Sequence, residues 1–200
     1  MKKDDNIADK IIDLKRKDLK LRDQLISQGK LSNGYDEAME KLHNSNAAIL
    51  NEIIDTIGYP TIQRVGKEAS EAAWLVIQHA IGQPDFMKKC RGLLEKAVAG
   101  HQAEPWNLAY LTDRIAVLEG KPQLYGTQFD WDKNGKLSPN LFDDLDKVNE
   151  RRKHIRLNTL EEQTTLIRQR AASEGQTPPE DYDRRQREAD EWRKRVGWIK

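Results

Sequence analysis

Six consecutive positions, Ala72-Ala73-Trp74-Leu75-Val76-Ile77, carry no polar side chain. The spacing around them predicts a helix over about 62–81, and such a helix is apolar on nearly every side. A helix of that kind has to be covered all round, so the chain must supply several other helices as neighbours. The same helix carries Gln78-His79, which places an imidazole inside this apolar stretch.

The covering helices are readable on both sides. Over 4–28, Ile7, Ile11, Leu14, Leu21 and Leu25 recur at helical spacing, with Asp18 interrupting the stripe. Ser32-Asn33-Gly34 reads as a turn and cap. A second helix follows over about 35–57, with Met39, Leu42, Ile49, Ile53 and Ile57 as its apolar stripe; Gly58-Tyr59-Pro60 ends it. Further helices are expected over 84–99, 105–119 and 145–171. Between the last two, from about 122 to 138, helical periodicity fails, aromatics cluster and Asn134-Gly135 signals a hairpin or irregular loop. Gly175-Gln176-Thr177-Pro178-Pro179 is a linker, and a charged helix closes the chain. The expected fold is mainly α: a helical bundle with one short hairpin or loop insertion and a C-terminal helical arm. The expected division is a helical domain over 1–172 and a linker with charged helix over 173–200.

Composition narrows the function. Lys and Arg number 34 against 33 Asp and Glu, for a net charge of +1. This balance makes nucleic acid an unfavoured partner, because such binding needs a basic excess to displace counterions. No apolar run approaches the ~20 residues needed to span a bilayer, and the first residues lack the apolar core of a signal peptide, so a cytoplasmic location without membrane contact is expected. A single cysteine, Cys90, excludes an internal disulfide framework and a Cys-rich zinc site. No Gly-rich phosphate loop, nucleophile elbow or His-Glu-x-x-His zinc motif occurs, and neither a cofactor nor a metal site is expected. Residues 101–150 are acidic on balance and 151–200 basic.

Several polar groups sit where burial would make them costly unless they are used. His79 reads as a general acid/base or ligand contact, or else as a core histidine bonded to a carboxylate or carbonyl. On the helix over 105–119, Leu108, Leu111, Ile115 and Leu118 form the apolar stripe, and Asp113 lies nearly opposite it beside Ala109, Thr112 and Ala116. A second helix can approach this small-residue face closely. If one does, Asp113 is buried and needs a cationic or hydrogen-bonding partner; otherwise Asp113-Arg114 reads as a solvated pair on an exposed face or an ion pair tying helices together. Arg114 on the flank offers a planar fork to a carboxylate or phosphate. The segment Pro122-Gln123-Leu124-Tyr125-Gly126-Thr127-Gln128 gathers two amides, a phenol and a hydroxyl around one glycine. It either orients a polar ligand or hydrogen-bonds to itself as a plug.

Asp130-Trp131-Asp132-Lys133-Asn134-Gly135 imitates the start of a calcium loop. Leu141 stands where the closing bidentate Glu belongs, so a plain turn is the reading. Arg151-Arg152 pairs with the loop or an anion, or forms a solvated face. Cys90 has basic neighbours in sequence but is expected to be inert.

Three segments stand in a fixed order along the chain: Gly58-Tyr59-Pro60 with Val65-Gly66 through Gln78-His79, Leu108 through Asp113-Arg114, and Gly120-Lys121-Pro122 through Gln128. In order and spacing they resemble an uncharacterised bacterial family, a domain of unknown function marked by a Gln-His helix, a Leu-x-Asp-Arg helix and a Gln-x-Tyr-Gly-Thr-Gln loop. Val148-Asn149-Glu150-Arg151-Arg152 and Leu157 through Leu160 are similar to its closing helix. The resemblance covers about 44–168, and the N-terminal helix and the tail look like additions. It implies no reaction. It does imply that His79, Gln78, Asp113, Arg114, Tyr125 and Gln128 belong together, with Arg152 on the closing helix.

The function expected on these grounds is binding of a small polar ligand with an anionic group. It extends to an acid/base enzyme of elimination, hydrolysis or isomerisation. There His79 transfers the proton, oriented by Asp113 or Gln78, Arg114 holds the anionic group, Tyr125 and Gln128 orient the substrate, and Gln78 and Arg152 line the pocket. The alternative is a non-catalytic assembly protein whose homo-oligomer or protein partner docks on 180–200 through Trp192, Trp198 and Ile199.

Overall fold

The computed structural model describes residues 2–30 and 35–200. These form nine α-helices and one two-stranded sheet, so the protein is mainly α. The chain divides into two compact units, Met1–Glu104 and Pro105–Lys200. Residues 173–200 therefore belong to the second unit.

The first unit holds α1 (Lys2–Ser27), α2 (Glu37–Ile57), α3 (Ile62–Val65), α4 (Lys67–His79) and α5 (Pro84–Ala99). The apolar segment is its centre: α4 packs against α1, α2, α3 and α5. Ala69, Ala72, Ala73, Val76 and Ile77 are buried, and the alanines let neighbouring backbones come close. The single helix expected over 62–81 is two helices. Gly66, at φ +81°, breaks the run, a conformation that glycine adopts without the steric cost of a Cβ. The turn expected at Ser32-Asn33-Gly34 lies outside the described residues. The cap of α2 is Asp36, whose carboxylate accepts from the N–H groups of Ala38 and Met39.

Both α1 and α2 bury a stripe that advances alternately by three and four residues. On α1 it runs through Ile11, Leu14, Asp18 and Leu25, with Leu21 half-buried. On α2 it runs through Met39, His43, Asn46, Leu50 and Ile53. This differs from the stripe expected on α2: Leu42 is only half-buried and Ile49 is 39 % exposed. The polar side chains of His43 and Asn46 take the inward positions instead. Asn46 donates to the carbonyl of Leu14 at 3.2 Å, so a polar layer crosses the seam between α1 and α2.

The second unit holds α6 (Pro105–Leu118), β1 (Phe129–Trp131), β2 (Leu137–Pro139), α7 (Leu145–His154), α8 (Leu160–Ser173) and α9 (Tyr182–Val196). The strands pair antiparallel, Asp130 opposite Ser138. The expected turn closes them: Asp132 Oδ1 accepts from the N–H groups of Asn134 and Lys136, and Gly135 sits at φ +68°. The helix expected over 145–171 is divided between α7 and α8. Arg156 turns the chain at φ +60°. Thr159 and Glu162 then form a reciprocal capping box that starts α8.

The opposite charges of the two halves of this unit meet as pairs. Asp130 binds Arg185 of α9 through both oxygens, at 2.8 and 3.0 Å, and Asp143 binds Arg151 at 2.8 Å. Arg193 donates to the carbonyl of Val117 at the end of α6, and Trp198 is 5 % exposed. The expected C-terminal arm is thus seated on its own unit, and the Trp198 ring is core rather than an exposed anchor.

Candidate functional site

Asp18 interrupts an otherwise apolar stripe and is completely buried. A carboxylate there must be compensated, and two imidazoles stand beside it. Its Oδ2 accepts from His79 Nδ1 at 2.8 Å and lies 3.1 Å from His43 Nε2. The two rings are 5.0 Å apart between centroids and tilted by 41°. Tyr35 Oη completes the array at 2.6 Å from His43 Nδ1, with its ring stacked on that imidazole.

Burial alone would raise the Asp18 carboxyl, but the His43 and His79 imidazoles outweigh it and hold the group well below the usual carboxylate range. Asp18 is therefore ionised, and an ionised carboxylate only accepts. The proton between it and His79 must then sit on Nδ1, which leaves the lone pair of the neutral ring on Nε2. His79 is the last residue of α4 and its side chain is 29 % exposed, whereas that of His43 is 6 % exposed. Burial, followed by the charges of Glu40 and Asp18, pushes the Tyr35 hydroxyl up, so it stays a neutral phenol. Gln78, one residue before His79, is buried.

The second unit arranges its polar groups around the loop 123–128. Asp113 is completely buried. Its Oδ1 accepts from the N–H groups of Leu124 and Tyr125 at 2.8 and 3.1 Å. Its Oδ2 accepts from the N–H and hydroxyl of Thr127 at 2.9 and 3.0 Å. Burial pushes this carboxyl up, against the pull of those hydrogen bonds. Gln123 binds Gln128 through both main-chain groups: Oε1 accepts from its N–H at 2.7 Å, and Nε2 donates to its carbonyl at 3.0 Å. Arg152, 2 % exposed, donates from Nη1 to the carbonyl of Tyr125 at 2.8 Å and from Nη2 to Asn158 Oδ1 at 2.9 Å. Gly126 stands at φ +63°, and a Cβ there would lie 2.7 Å from Leu160 Cδ1. Three side chains thus fasten one loop by its backbone.

The markers of that loop and of the Gln-His and Asp-Arg helices, now placed on α4, α6 and 123–128, meet a family model that matches residues 5–174. The chain belongs to DUF6624, a family of unknown function. The DUF6624 match takes in α1 through α8, so the N-terminal helix, read from the sequence as an addition, lies inside the family and brings Asp18 with it. Residues 1–4, and α9 with the residues before and after it, lie beyond the matched range. No curated protein and no solved structure matches the chain.

Each of the residues expected to act together in this DUF6624 member can be placed within its own unit. His79 is hydrogen-bonded to Asp18; the orienting partner expected from the sequence was Asp113 or Gln78. Both oxygens of Asp113 are taken by the loop. Arg152 and Asp113 face main-chain groups of the loop, and Gln128 donates its own amide to Thr127 Oγ1 at 3.0 Å. The Tyr125 and Arg114 side chains are half-buried. Sequence reasoning missed His43 and Tyr35; the interruption at Asp18 was the signal that a buried partner had to exist. Cys90 is fully buried, and burial pushes its thiol up to about 12, an inert environment. Among the described residues no helix is long and apolar enough to cross a membrane.

Proposed function

We propose that this protein binds a small polar ligand and moves a proton on it at His79. The observation that carries the reading is the 2.8 Å hydrogen bond from His79 Nδ1 to the buried Asp18 carboxylate, on a ring whose side chain is 29 % exposed. A carboxylate at Nδ1 fixes the tautomer, aims the lone pair of Nε2 outward and stabilises the imidazolium once a proton is taken up. Asp18 is a positioning residue in this reading, with the His43 imidazole 3.1 Å from it on the other side. Elimination, hydrolysis and isomerisation all need such a group.

The test is a panel of small carboxylates, phosphates and amides screened by thermal shift and by NMR for turnover. It compares the wild type with His79→Ala and Asp18→Asn. The expected result is a compound that raises the melting temperature of the wild type, is converted by it, and does neither with His79→Ala. Equal shifts and equal turnover in all three proteins would count decisively against the reading.

A further inference from the structure

The Asp18–His43–His79 cluster has more binding capacity than its internal hydrogen bonds use. Asp18 Oδ1 and His43 Nε2 are both buried and have no hydrogen-bond partner. The second is notable because Asp18 Oδ2 is only 3.1 Å away, yet the ring is not aligned to donate to it. If Nε2 carries a proton, it meets the carboxylate only off its donor axis. If it carries its lone pair, a buried acceptor faces a carboxylate. Either state is costly, and a cation among the three groups relieves both.

We infer that Asp18, His43 and His79 form a binding site for one divalent transition-metal ion of the zinc type. One donor atom from each residue lies within 4.8 Å of the others, so a small inward shift brings them to the roughly 3.3–4.4 Å that two ligands of one ion span at bond lengths of about 2.0–2.2 Å. Two imidazoles and one carboxylate suit zinc, iron, nickel or copper rather than calcium or magnesium, which prefer all-oxygen shells. The outer shell is in place as well. For His43 to ligate through Nε2, its Nδ1 must keep the proton and donate it, and Tyr35 Oη stands 2.6 Å away to accept. Three protein ligands leave a fourth position open, and the 29 % exposed His79 gives that side access.

This goes beyond the proposed chemistry and constrains it. The ion takes the lone pair of His79 Nδ1, so the single proton of the neutral ring moves from Nδ1 to Nε2 and none is lost to solvent. The loaded ring carries its one N–H on Nε2, and His79 no longer offers a base. The metal-free cluster is the acid/base form, and the ion switches it off. Loading also weakens as pH falls, because protons compete for the imidazoles.

The test uses the full chain, stripped with a chelator and dialysed against buffered zinc. One equivalent per chain is expected, with a zinc-edge absorption spectrum showing two imidazoles and at least one oxygen. His43→Gln and His79→Gln, checked for folding by circular dichroism, should each weaken binding by roughly a hundredfold, and Tyr35→Phe by roughly tenfold. His101→Gln should leave it unchanged. A wild type that takes up no zinc at micromolar free metal overturns the proposal. So does a spectrum with fewer than two imidazoles, or unaltered binding by the folded His variants. The wild-type spectrum decides the matter if those variants do not fold. Turnover by the chelated protein is read separately, so failure of the metal site and failure of the acid/base reading are distinguishable.

Discussion

Asp18 and His79 are 61 positions apart in the chain and are joined by a 2.8 Å hydrogen bond between a fully buried carboxylate and the last residue of the central helix. The carboxylate stands where the α1 stripe calls for an apolar side chain. Asp18→Leu restores that stripe, whereas Asp18→Ala leaves both a void and two imidazoles without their anion. Asp18→Ala should lose about 3 kcal/mol in urea unfolding. Asp18→Leu should lose less, because it fills the void and leaves only the cost of the two imidazoles without their anion. Equal losses would show that the unpaired imidazoles, and not the void, set the cost.

The same carboxylate sets an acid limit. Its folded value lies below the ordinary one, so the unfolded chain binds its proton more readily and stability rises with pH across that interval. The contribution is complete above the usual aspartate value of about 4 and is lost as pH falls below it. Urea midpoints measured between pH 5 and pH 2 should fall more steeply for the wild type than for Asp18→Asn.

Asp113 should be as sensitive for a different reason. Four donors, three of them peptide N–H groups, converge on it. In Asp113→Asn one oxygen becomes an amino group facing those donors. A loss of about 2–4 kcal/mol is expected from the unmet groups. Amide exchange at Leu124, Tyr125 and Thr127 should accelerate together; protection unchanged at all three would contradict this role.

Gly126 meets two restrictions at once, a positive φ and the methyl groups of Leu160. Gly126→Ala should cost about 1–2 kcal/mol for the backbone alone and more for the clash. Leu160→Ala in the same chain removes the second part only. The double variant should therefore be more stable than the sum of the single losses implies, by at least about 0.5 kcal/mol.

How much of this was legible depends on which force set each feature. The helices were, because apolar spacing reports burial directly, and the turn at Asn134-Gly135 was, because its conformation is local. The break at Gly66 was hidden inside an apolar run with no charge or proline to mark it. The break before α8 was marked by Thr159 and Glu162, a local signal that the continuing periodicity masked. On α2 the inward face was misjudged because His43 and Asn46 occupy it, and hydrophobicity cannot identify a stripe whose members are polar. The burial of Asp113 followed from its small-residue face. Its partners did not, since main-chain N–H groups leave no trace in side-chain pattern. The pairing of Asp18 with His79 needed the packing of α1 on α4, which no spacing within either helix encodes.

The inward Asp18, His43 and Asn46 also fix where the rods may stop along one another. An apolar seam tolerates sliding, because one leucine accepts another in its place. Here a displacement of α1 by a single turn, about 5.4 Å, would carry the anion from the level of His43 to that of Met39 or of Asn46 and Ala47 on α2, and part it from both imidazoles. Axial slippage is thereby penalised at one level of the assembly, and the helices have a single longitudinal alignment to lock into.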